Sequence, residues 1–319
     1  MRKNLNLLLT NDDGINADGI VSLYKVFSED LDNFMHKIVV IAPDGERSVS
    51  GHSITYKIPV KIKNLYSNGK LDIFEATGSP ADCVIIGINY LLEQVDLVVS
   101  GINRGPNLGY DLSISGTVSA AIEAFVNNIK SISVSLFQYN DPDYSFASLF
   151  IYKFIKYYKD IMDSNLFDKV FLNINFPAFE KLKADSLPII TIHDFYRHKA
   201  ELEPRLDPKE NRYFWIYWKL HPVNFDDFVI DKIQKYLENY DNTNDIFITD
   251  IQAVFNGYIS ISPLTFDFNL FNIKNHNYVE VFKVLKDIAK KTFRETFEEY
   301  SNNKNDMKKD QVKKGVNIK

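Results

Sequence analysis

Cysteine is almost absent from this sequence of 319 residues, which contains one, Cys83. A single thiol excludes an intramolecular disulfide framework and every zinc or iron–sulfur site that needs several cysteines, and it fits a reducing compartment. Long apolar runs are absent too. No stretch reaches the ~18 residues of a membrane-spanning helix, and the apolar run 7–9 is too short for a secretory signal. We therefore expect a cytoplasmic protein that does not enter a membrane.

Three nucleotide and hydrolase motifs are missing. No G-x-G-x-x-G follows a predicted strand, which disfavours dinucleotide cofactors. Gly14 and Gly19 have the glycine spacing of a Walker A loop, but no Lys-Ser/Thr follows them. No G-x-S-x-G nucleophile elbow is present.

The net charge is unevenly distributed along the chain. The chain carries a net charge of −5, whereas residues 301–319 contain six lysines and two aspartates, a charge of +4. The other 300 residues therefore carry −9. A domain with this excess of negative charge is a poor electrostatic match for a nucleic-acid polymer, and we expect no such partner.

Short apolar strands alternate with helices in the first half of the chain. Because these strands lack polar–apolar alternation, the pattern predicts a parallel sheet covered on both faces. The predicted fold is α/β, a Rossmann-like three-layer sandwich with a mainly parallel sheet. The predicted strands are Leu5–Thr10, Lys37–Ala42, Val95–Ser100, Ser131–Phe137, Lys169–Asn175 and Tyr258–Leu264, and the helices are Ala17–Leu31, Pro80–Gln94, Val118–Asn127 and Asp143–Met162.

Several regions depart from that rhythm. Ser53–Ser67 alternates in polarity and predicts a hairpin or an edge extension of the sheet. The stretch 187–220 is strand-like, charged and aromatic, which indicates either a protruding arm for subunit contacts or an ordinary surface hairpin. Asp226–Glu238 predicts a short helix.

The C-terminal region predicts a long amphipathic helix over about 277–300, followed by a disordered Lys/Asn-rich tail at 301–319. Residues 1–300 are predicted to form a single α/β domain.

Polar, glycine-bearing loops follow three of the predicted strands, and ligands of open α/β sheets bind at the carboxyl ends of strands. Asp12 and Asp13 come directly after the first strand. Two adjacent carboxylates repel each other when buried, and a divalent cation resolves this. Asn103 and Ser48 could complete an oxygen shell that suits Mg²⁺, Mn²⁺ or Ca²⁺ rather than zinc. An isolated Asn-Asp-Asp-Gly is also typical of a turn that caps the next helix, but the two further loops favour the metal.

Ser115, Gly116 and Thr117 precede the helix that begins at Val118. Free backbone N–H groups and the helix dipole there favour an anion, although a plain N-cap gives the same letters. His52 could donate to a phosphate or serve as an acid, and a solvated surface histidine is the alternative. Arg47 and Arg104 could supply positive charge or pair with neighbouring carboxylates.

Five segments of the chain together resemble the SurE family, the stationary-phase survival proteins, which act as metal-dependent nucleoside 5′-monophosphate phosphatases. The resemblance runs from Leu5 to about Leu264. The segments are TNDDGINADGI (Thr10–Ile20), APDGERSVSGHSIT (Ala42–Thr55), TGSPADCV (Thr77–Val84), VSGINRGPNLGYDLSISGTVSAA (Val99–Ala121) and TDIQAVFNGYISISPL (Thr249–Leu264).

The resemblance implies that Asp12, Asp13, Ser48 and Asn103 hold one divalent cation per subunit, Mg²⁺ or Mn²⁺. It also implies a homodimer or homotetramer. Gly45 departs from the family, which often has a larger, frequently basic residue there, so contacts around the phosphate or metal are expected to differ. The stretch 221–247 looks like an insertion.

The activity expected from site and resemblance together is hydrolysis of nucleoside 5′-monophosphates, with 3′-monophosphates and short polyphosphate as further candidate substrates. Asp12 and Asp13 are the predicted catalytic carboxylates, with Asp12 orienting or deprotonating the attacking water or, as the alternative, acting as the nucleophile itself. The predicted phosphate-binding residues are Asn11, Asn107, Ser115, Gly116 and Thr117.

Two other hypotheses remain open at this point. A nucleotide-sensing protein with little turnover would retain the site, and the substitution at Gly45 together with the extra segments favours it. A phosphatase with an aspartyl nucleophile would need Asp-x-Asp after the first strand, whereas Asp12 and Asp13 are adjacent.

Overall fold

The structure is a computed structural model that describes residues 4–29, 34–182, 187–194, 199–219, 248–265 and 278–313. Eleven strands lie within these ranges. They are β1 (Leu5–Thr10), β2 (Met35–Pro43), β3 (Ile62–Ser67), β4 (Leu71–Ala76), β5 (Leu97–Arg104), β6 (Lys130–Phe137), β7 (Phe171–Pro177), β8 (Ile189–Ile190), β9 (Lys199–Leu206), β10 (Arg212–Lys219) and β11 (Ser260–Leu264).

Nine of these strands form one sheet in the spatial order β3-β4-β2-β1-β5-β6-β7-β11-β8. The six strands from β4 to β7 in that order run parallel, and β3 and β11 pair antiparallel with their neighbours. The prediction of a mainly parallel sheet is therefore confirmed.

Six α-helices accompany the strands in the described part of the chain. They are α1 (Asp18–Ser28), α2 (Pro80–Ile86), α3 (Gly116–Val126), α4 (Ser145–Tyr158), α5 (Asp250–Phe255) and α6 (Tyr278–Lys313). Within the predicted helix Pro80–Gln94, the α-helix ends at Ile86. A π-helical turn follows it over Gly87–Leu91.

Helices cover both faces of the sheet, as the side chains of β1 demonstrate. Leu7 and Leu9 belong to the apolar cluster under α1, α4 and α6, whereas Leu8 belongs to the cluster under α2 and α3. All three leucines are fully buried. Because successive side chains of a strand point to opposite faces, an uninterrupted apolar run is what a strand between two helix layers requires. The three-layer sandwich is confirmed.

Two edge regions differ in detail from their predictions. Of the predicted segment Ser53–Ser67, Ile62–Ser67 forms the edge strand β3, and the preceding residues have no regular structure. Its partner β4 was not predicted as a strand. The sequence of β4, LDIFEA, includes two acidic residues that obscure the apolar pattern, and strand pairing on both sides stabilises it.

The predicted arm begins later in the chain than expected. Ile189–Ile190 pair with β11 in the main sheet, and Thr191 is buried beside them. The separate structure is the antiparallel ribbon of β9 and β10, which we call the arm ribbon. The predicted insertion 221–247, with its helix Asp226–Glu238, lies outside the described residues.

The C-terminal helix extends beyond its predicted end. α6 continues through Lys313, so residues 301–313 are helical rather than disordered. The ring of Tyr300 packs against Phe146 and Phe179 at centroid distances of 5.6 and 4.6 Å, which anchors the helix beyond its middle. No glycine or proline interrupts residues 301–313. None of the helices in the described part of the chain could span a membrane, because none combines the length with the apolar character.

Candidate active site

The loops after β1, β2 and β5 meet at the carboxyl edge of the sheet, as the sequence predicts. The backbone N–H of Arg47, in the loop after β2, donates to the carbonyl oxygen of Asp12 at 2.7 Å. The backbone N–H of Arg104, at the end of β5, donates to Oδ2 of Asp13 at 3.0 Å. The loop after β2 and the end of β5 are therefore both bonded to the Asp12-Asp13 pair or its backbone.

Asp12 is a buried carboxylate, with 4% of its surface exposed. Its Oδ2 accepts a hydrogen bond from the backbone N–H of Thr117 at 3.1 Å, and its Oδ1 accepts from the Thr117 hydroxyl. The first turn of α3 is thus used to hold a carboxylate. Burial raises the pKa of Asp12, and the bonds from Thr117 lower it without cancelling that effect.

Asp13 lies nearer the surface, and its charged form is disfavoured as well. Burial, followed by the charge of Asp12, raises the pKa of Asp13 to about 6. The bond from Arg104 opposes this rise. Two neighbouring acids whose pKa values are both raised form a site in which negative charge is under-compensated. A divalent cation is the partner that would stabilise the charged forms of both.

Asn103 completes this part of the site. Its amide nitrogen donates to the carbonyl oxygen of Gly105 at 2.8 Å, which directs its Oδ1 the other way. That oxygen lies 3.2 Å from the Thr117 hydroxyl, which already donates to Asp12. One hydroxyl proton cannot serve both acceptors. Oxygen atoms of Asp12 and Asn103 therefore converge with one donor between them, an arrangement that fits a hard cation.

Ser48, the fourth predicted metal ligand, is on the exposed loop after β2. Its hydroxyl donates to Oε1 of Glu46 at 2.7 Å. No cluster of three His, Cys, Asp or Glu side chains occurs among the described residues. A ligand set with only two carboxylates, an amide and a hydroxyl agrees with that observation. It is also the set expected for Mg²⁺ or Mn²⁺ rather than zinc.

The predicted phosphate-binding residues divide into two groups. Ser115 caps α3, with its Oγ accepting from the N–H of Val118 at 3.0 Å, so the plain capping interpretation holds as well. A glycine is required at position 116 because side chains of neighbouring segments approach its backbone closely. A Cβ built there would lie 2.8 Å from the Cβ of Asp12 and 2.9 Å from the hydroxyl oxygen of Ser50.

Both asparagines of this prediction are hydrogen-bonded to the protein, Asn11 within its own loop and Asn107 to strands β6 and β7. The side chain of Asn11 exchanges two hydrogen bonds with the backbone of Gly14, at 2.9 and 3.2 Å. Asn107 donates from its side chain to Ser135 at 2.8 Å, and its carbonyl oxygen accepts from the amide of Asn175 at 3.0 Å. In this arrangement both side chains shape the loops, and contact with phosphate stays a prediction.

His52 and the two arginines have carboxylate or carbonyl partners. Nε2 of His52 lies 2.7 Å from Oε2 of Glu123, which projects from α3. Arg47 pairs with Asp44 in the same exposed loop. Arg104 donates from Nε to the carbonyl oxygen of Tyr139 at 3.0 Å.

Two residues at this edge were missed by the sequence reasoning. The hydroxyl of Ser50 is buried with no hydrogen-bond partner within the described ranges, and it lies beside Gly116. The carboxylate of Asp250 is fully buried and accepts from the N–H groups of Gly109 and Asp194, each at 3.0 Å. Their positions between Ser48 and His52, and within the segment TDIQAVF, were the available signals.

The family model for survival protein SurE matches residues 7–198 of this chain. The chain belongs to the SurE family. It is 37% identical over 278 residues to the 5′-nucleotidase SurE of Natranaerobius thermophilus, covering 85% of this chain and 96% of that protein. The 5′-nucleotidase SurE of Thermosipho melanesiensis is 34% identical over 264 residues, 82% of this chain and 91% of its own.

A solved SurE structure has the same fold. The crystal structure of the SurE protein from Aquifex aeolicus superimposes with a TM-score of 0.61 at 30% identity, covering 86% of this chain and 99% of that one. The resemblance and the fold inferred from the sequence are both confirmed by these comparisons.

Proposed function

We propose that this chain is a metal-dependent 5′-nucleotidase that hydrolyses nucleoside 5′-monophosphates to nucleoside and phosphate. The observation that carries the proposal is the convergence of Asp12, Asp13 and Asn103, two under-compensated acids and one amide oxygen, at the carboxyl edge of a SurE fold. Its relatives from Natranaerobius and Thermosipho are named 5′-nucleotidase SurE, which supports the same activity here. Activity on 3′-monophosphates or short polyphosphate is a further part of the proposal.

Asp12, Asp13, Ser48 and Asn103 are the residues that would hold one divalent cation, Mg²⁺ or Mn²⁺. When bound, such a cation neutralises phosphate charge and lowers the pKa of a coordinated water. The donor set supports this, since all four side chains offer oxygen. Ser48 would have to exchange its bond with Glu46 for the cation, which its exposed position permits.

The chain's own groups have distinct tasks in the proposed reaction. Asp12, fixed by two bonds from Thr117, orients the attacking water and accepts its proton. Asp13 is held by the Arg104 N–H on the opposite side of the site. The N-terminus of α3, from Ser115 to Thr117, adds its dipole to the stabilisation of phosphate oxygens. Asn11 and Asn107 support that site through the loops that they shape.

The test is phosphate release by the purified full-length chain from a panel of nucleoside monophosphates with Mg²⁺ or Mn²⁺. We expect release that a chelator abolishes and either metal restores. A folded chain that binds nucleotides in calorimetry but releases no phosphate with any metal would contradict the proposal and favour a nucleotide sensor.

We also propose that the enzyme is a homodimer or homotetramer located in the cytoplasm. The arm ribbon exposes large apolar side chains, and surfaces of this kind commonly mark protein contacts. They include Leu202, Leu206, Phe214, Trp215 and Ile216, each more than half exposed. Light scattering of the full chain, with and without paired charged substitutions in β10, tests the assembly.

A further inference from the structure

Three aromatic side chains, two exposed and one half-buried, form a cluster next to the candidate active site. Phe137 ends β6, Tyr139 follows it, and Phe255 ends α5. The ring centroid of Phe137 lies 6.0 Å from that of Tyr139 and 5.2 Å from that of Phe255. Tyr139 and Phe255 are 55% and 50% exposed. We call these three residues the aromatic shelf.

The aromatic shelf is connected to the acidic pair by two consecutive residues. The N–H of Arg104 donates to Asp13 at 3.0 Å, and the guanidinium of the same residue donates to the carbonyl oxygen of Tyr139. Gly105 comes next, and a Cβ built there would lie 2.7 Å from Cε1 of Tyr139. A glycine is therefore needed for the tyrosine ring to lie this close to the end of β5. Tyr139 is thus held against Arg104 and Gly105, the two residues that follow Asn103.

Along the sheet edge, a phosphate at Asp12 and Asp13 is flanked on one side by the end of β2 and on the other by the ends of β5 and β6. In one direction lies the loop after β2, residues 44–52, which has exposed carboxylates at Asp44 and Glu46 and contains no Phe, Tyr or Trp. In the other direction lies the aromatic shelf. A flat, apolar ring surface suits the face of a base, whereas exposed carboxylates do not.

We propose that the aromatic shelf holds the nucleobase of the substrate by stacking, with Tyr139 as the principal contact. This inference rests on the proposed nucleotidase function and names the part of the site that recognises the nucleoside. Stacking uses the π-face that every base has, so the shelf would accept all four bases and favour the larger purines. Lys181 places its positive charge over the ring of Phe137, with Nζ 5.4 Å from the ring centroid.

The experiment compares Tyr139→Ala and Tyr139→Phe with the wild type on two substrates, adenosine 5′-monophosphate and ribose 5-phosphate, which lacks the base. Tyr139→Ala is expected to raise KM for the nucleotide about tenfold, since one base–aromatic stack is lost. Its kcat, and its kcat/KM on ribose 5-phosphate, should stay within about twofold. Tyr139→Phe should behave as the wild type, because the ring remains.

Tyr90→Ala is the matched control. Tyr90 is 77% exposed in the π-helical turn after α2, away from the shelf, so its removal should leave both substrates unaffected. An equal loss on both substrates for Tyr139→Ala, or no rise in KM for the nucleotide, would overturn the proposal. A change of oligomeric state in light scattering without a base-dependent effect would also overturn it and assign the shelf to a subunit contact.

Calorimetric binding separates this inference from the proposed function. If the wild type releases no phosphate, yet binds the nucleotide more tightly than ribose 5-phosphate and loses that difference in Tyr139→Ala, the nucleotidase assignment fails and the shelf is confirmed. If the wild type binds both ligands equally, or binds neither, the shelf is refuted whatever the activity.

Discussion

The two sides of the candidate metal site differ in how firmly they are held. On one side, which we call the buried side, Asp12, Asp13, Asn103 and Thr117 form a network of hydrogen bonds between β1, β5 and α3. On the other side, the exposed loop of residues 44–52 carries Ser48 on its outer surface. Backbone bonds from Arg47 to Asp12 and from Gly51 to Ile114 tie this loop to the rest.

This difference indicates a division of labour. Groups on the buried side need no movement to face a cation, because packing and hydrogen bonds fix them before it arrives. Ser48 must give up its bond to Glu46 and approach the site, so the exposed loop completes the ligand set only when the cation binds. Substitutions should therefore be severe on the buried side and mild on the exposed loop.

Asp12→Asn should have the largest effect. We expect metal-dependent phosphate release to fall by at least about a thousandfold, because both a cation ligand and the proton acceptor are lost. Thermal stability without metal should stay equal or rise, since burial raises the pKa of Asp12 and the charged form is costly there. Rates and melting temperatures of the purified variant provide the check.

Asp168→Asn is the matched control for Asp12. Its carboxylate is half exposed in an ion pair with Lys130, far along the chain from the site loops. We expect normal activity from it. If Asp12→Asn instead retained most of its activity in a folded protein, the buried side would not be the catalytic one.

Gly116→Ala and Gly45→Ala each add one methyl group, the first on the buried side and the second on the exposed loop. The pair therefore compares the two sides. The new Cβ at residue 116 would collide with Asp12, whereas the nearest atom at residue 45 is Nη1 of Arg47 at 3.8 Å. We expect Gly116→Ala to lose 10- to 100-fold in activity and about 1–3 kcal/mol of unfolding free energy. Gly45→Ala should change neither by a measurable amount.

Chemical denaturation and steady-state kinetics of both glycine variants are the measurements. Equal losses in the two would remove the distinction between a fixed side and an adaptable side.

Ser48→Ala should have a smaller effect, confined to the cation. We expect the Mn²⁺ concentration for half-maximal activity to rise about tenfold, the loss of one weak ligand, with the rate at saturating Mn²⁺ nearly restored. Titration of activity with the metal gives both quantities. A loss that saturating metal does not restore would place Ser48 in the chemistry rather than in cation binding.

Asp143 lies outside both sides of the metal site. Asp143→Asn should change stability but not activity, and its effect should be the smallest of those predicted here. Burial would raise the pKa of Asp143, but hydrogen bonds from Tyr300 and Ser145 outweigh it and lower the pKa. The resulting stabilisation is complete above the ordinary carboxyl pKa and disappears as the pH falls through the lowered value. Since the group is partly exposed, we expect less than about 1 kcal/mol at pH 7.

Melting temperatures of wild type and Asp143→Asn should therefore converge as the pH is lowered from 7 toward 3. A gap that widens on acidification would contradict the assigned sign, and a loss of activity would show that α6 influences the site.

The central sheet and the positions of the candidate site residues at its carboxyl edge could be predicted from the sequence. The buried centres of β1 and β2 are continuous apolar runs, Leu7–Leu9 and Ile38–Ala42, and the polar residues after these strands mark the edge where ligands bind. The strand-end position of Asp12, Asp13 and Asn103 therefore followed from pattern alone. Whether these three and Ser48 bind a cation stays a prediction.

Pairing and packing between distant segments determine what could not be predicted. β4 depends on its two neighbouring strands, and the helical residues after Tyr300 depend on the contacts that anchor α6. The capture of Asp12 by Thr117 joins residues 105 positions apart. From the sequence, Thr117 is predicted to donate hydrogen bonds to a phosphate. In the structure its hydroxyl and N–H both donate to the carboxylate of Asp12.

The lone thiol makes the chain convenient for site-specific labelling. Cys83 is fully buried in α2, and burial raises its pKa, so the folded protein should resist thiol reagents. A cysteine introduced at Leu202, which is 60% exposed on the arm ribbon, would then be the one reactive group. A fluorophore or spin label at that position would report on the arm in solution, and late reactivity of Cys83 would report on unfolding of the core.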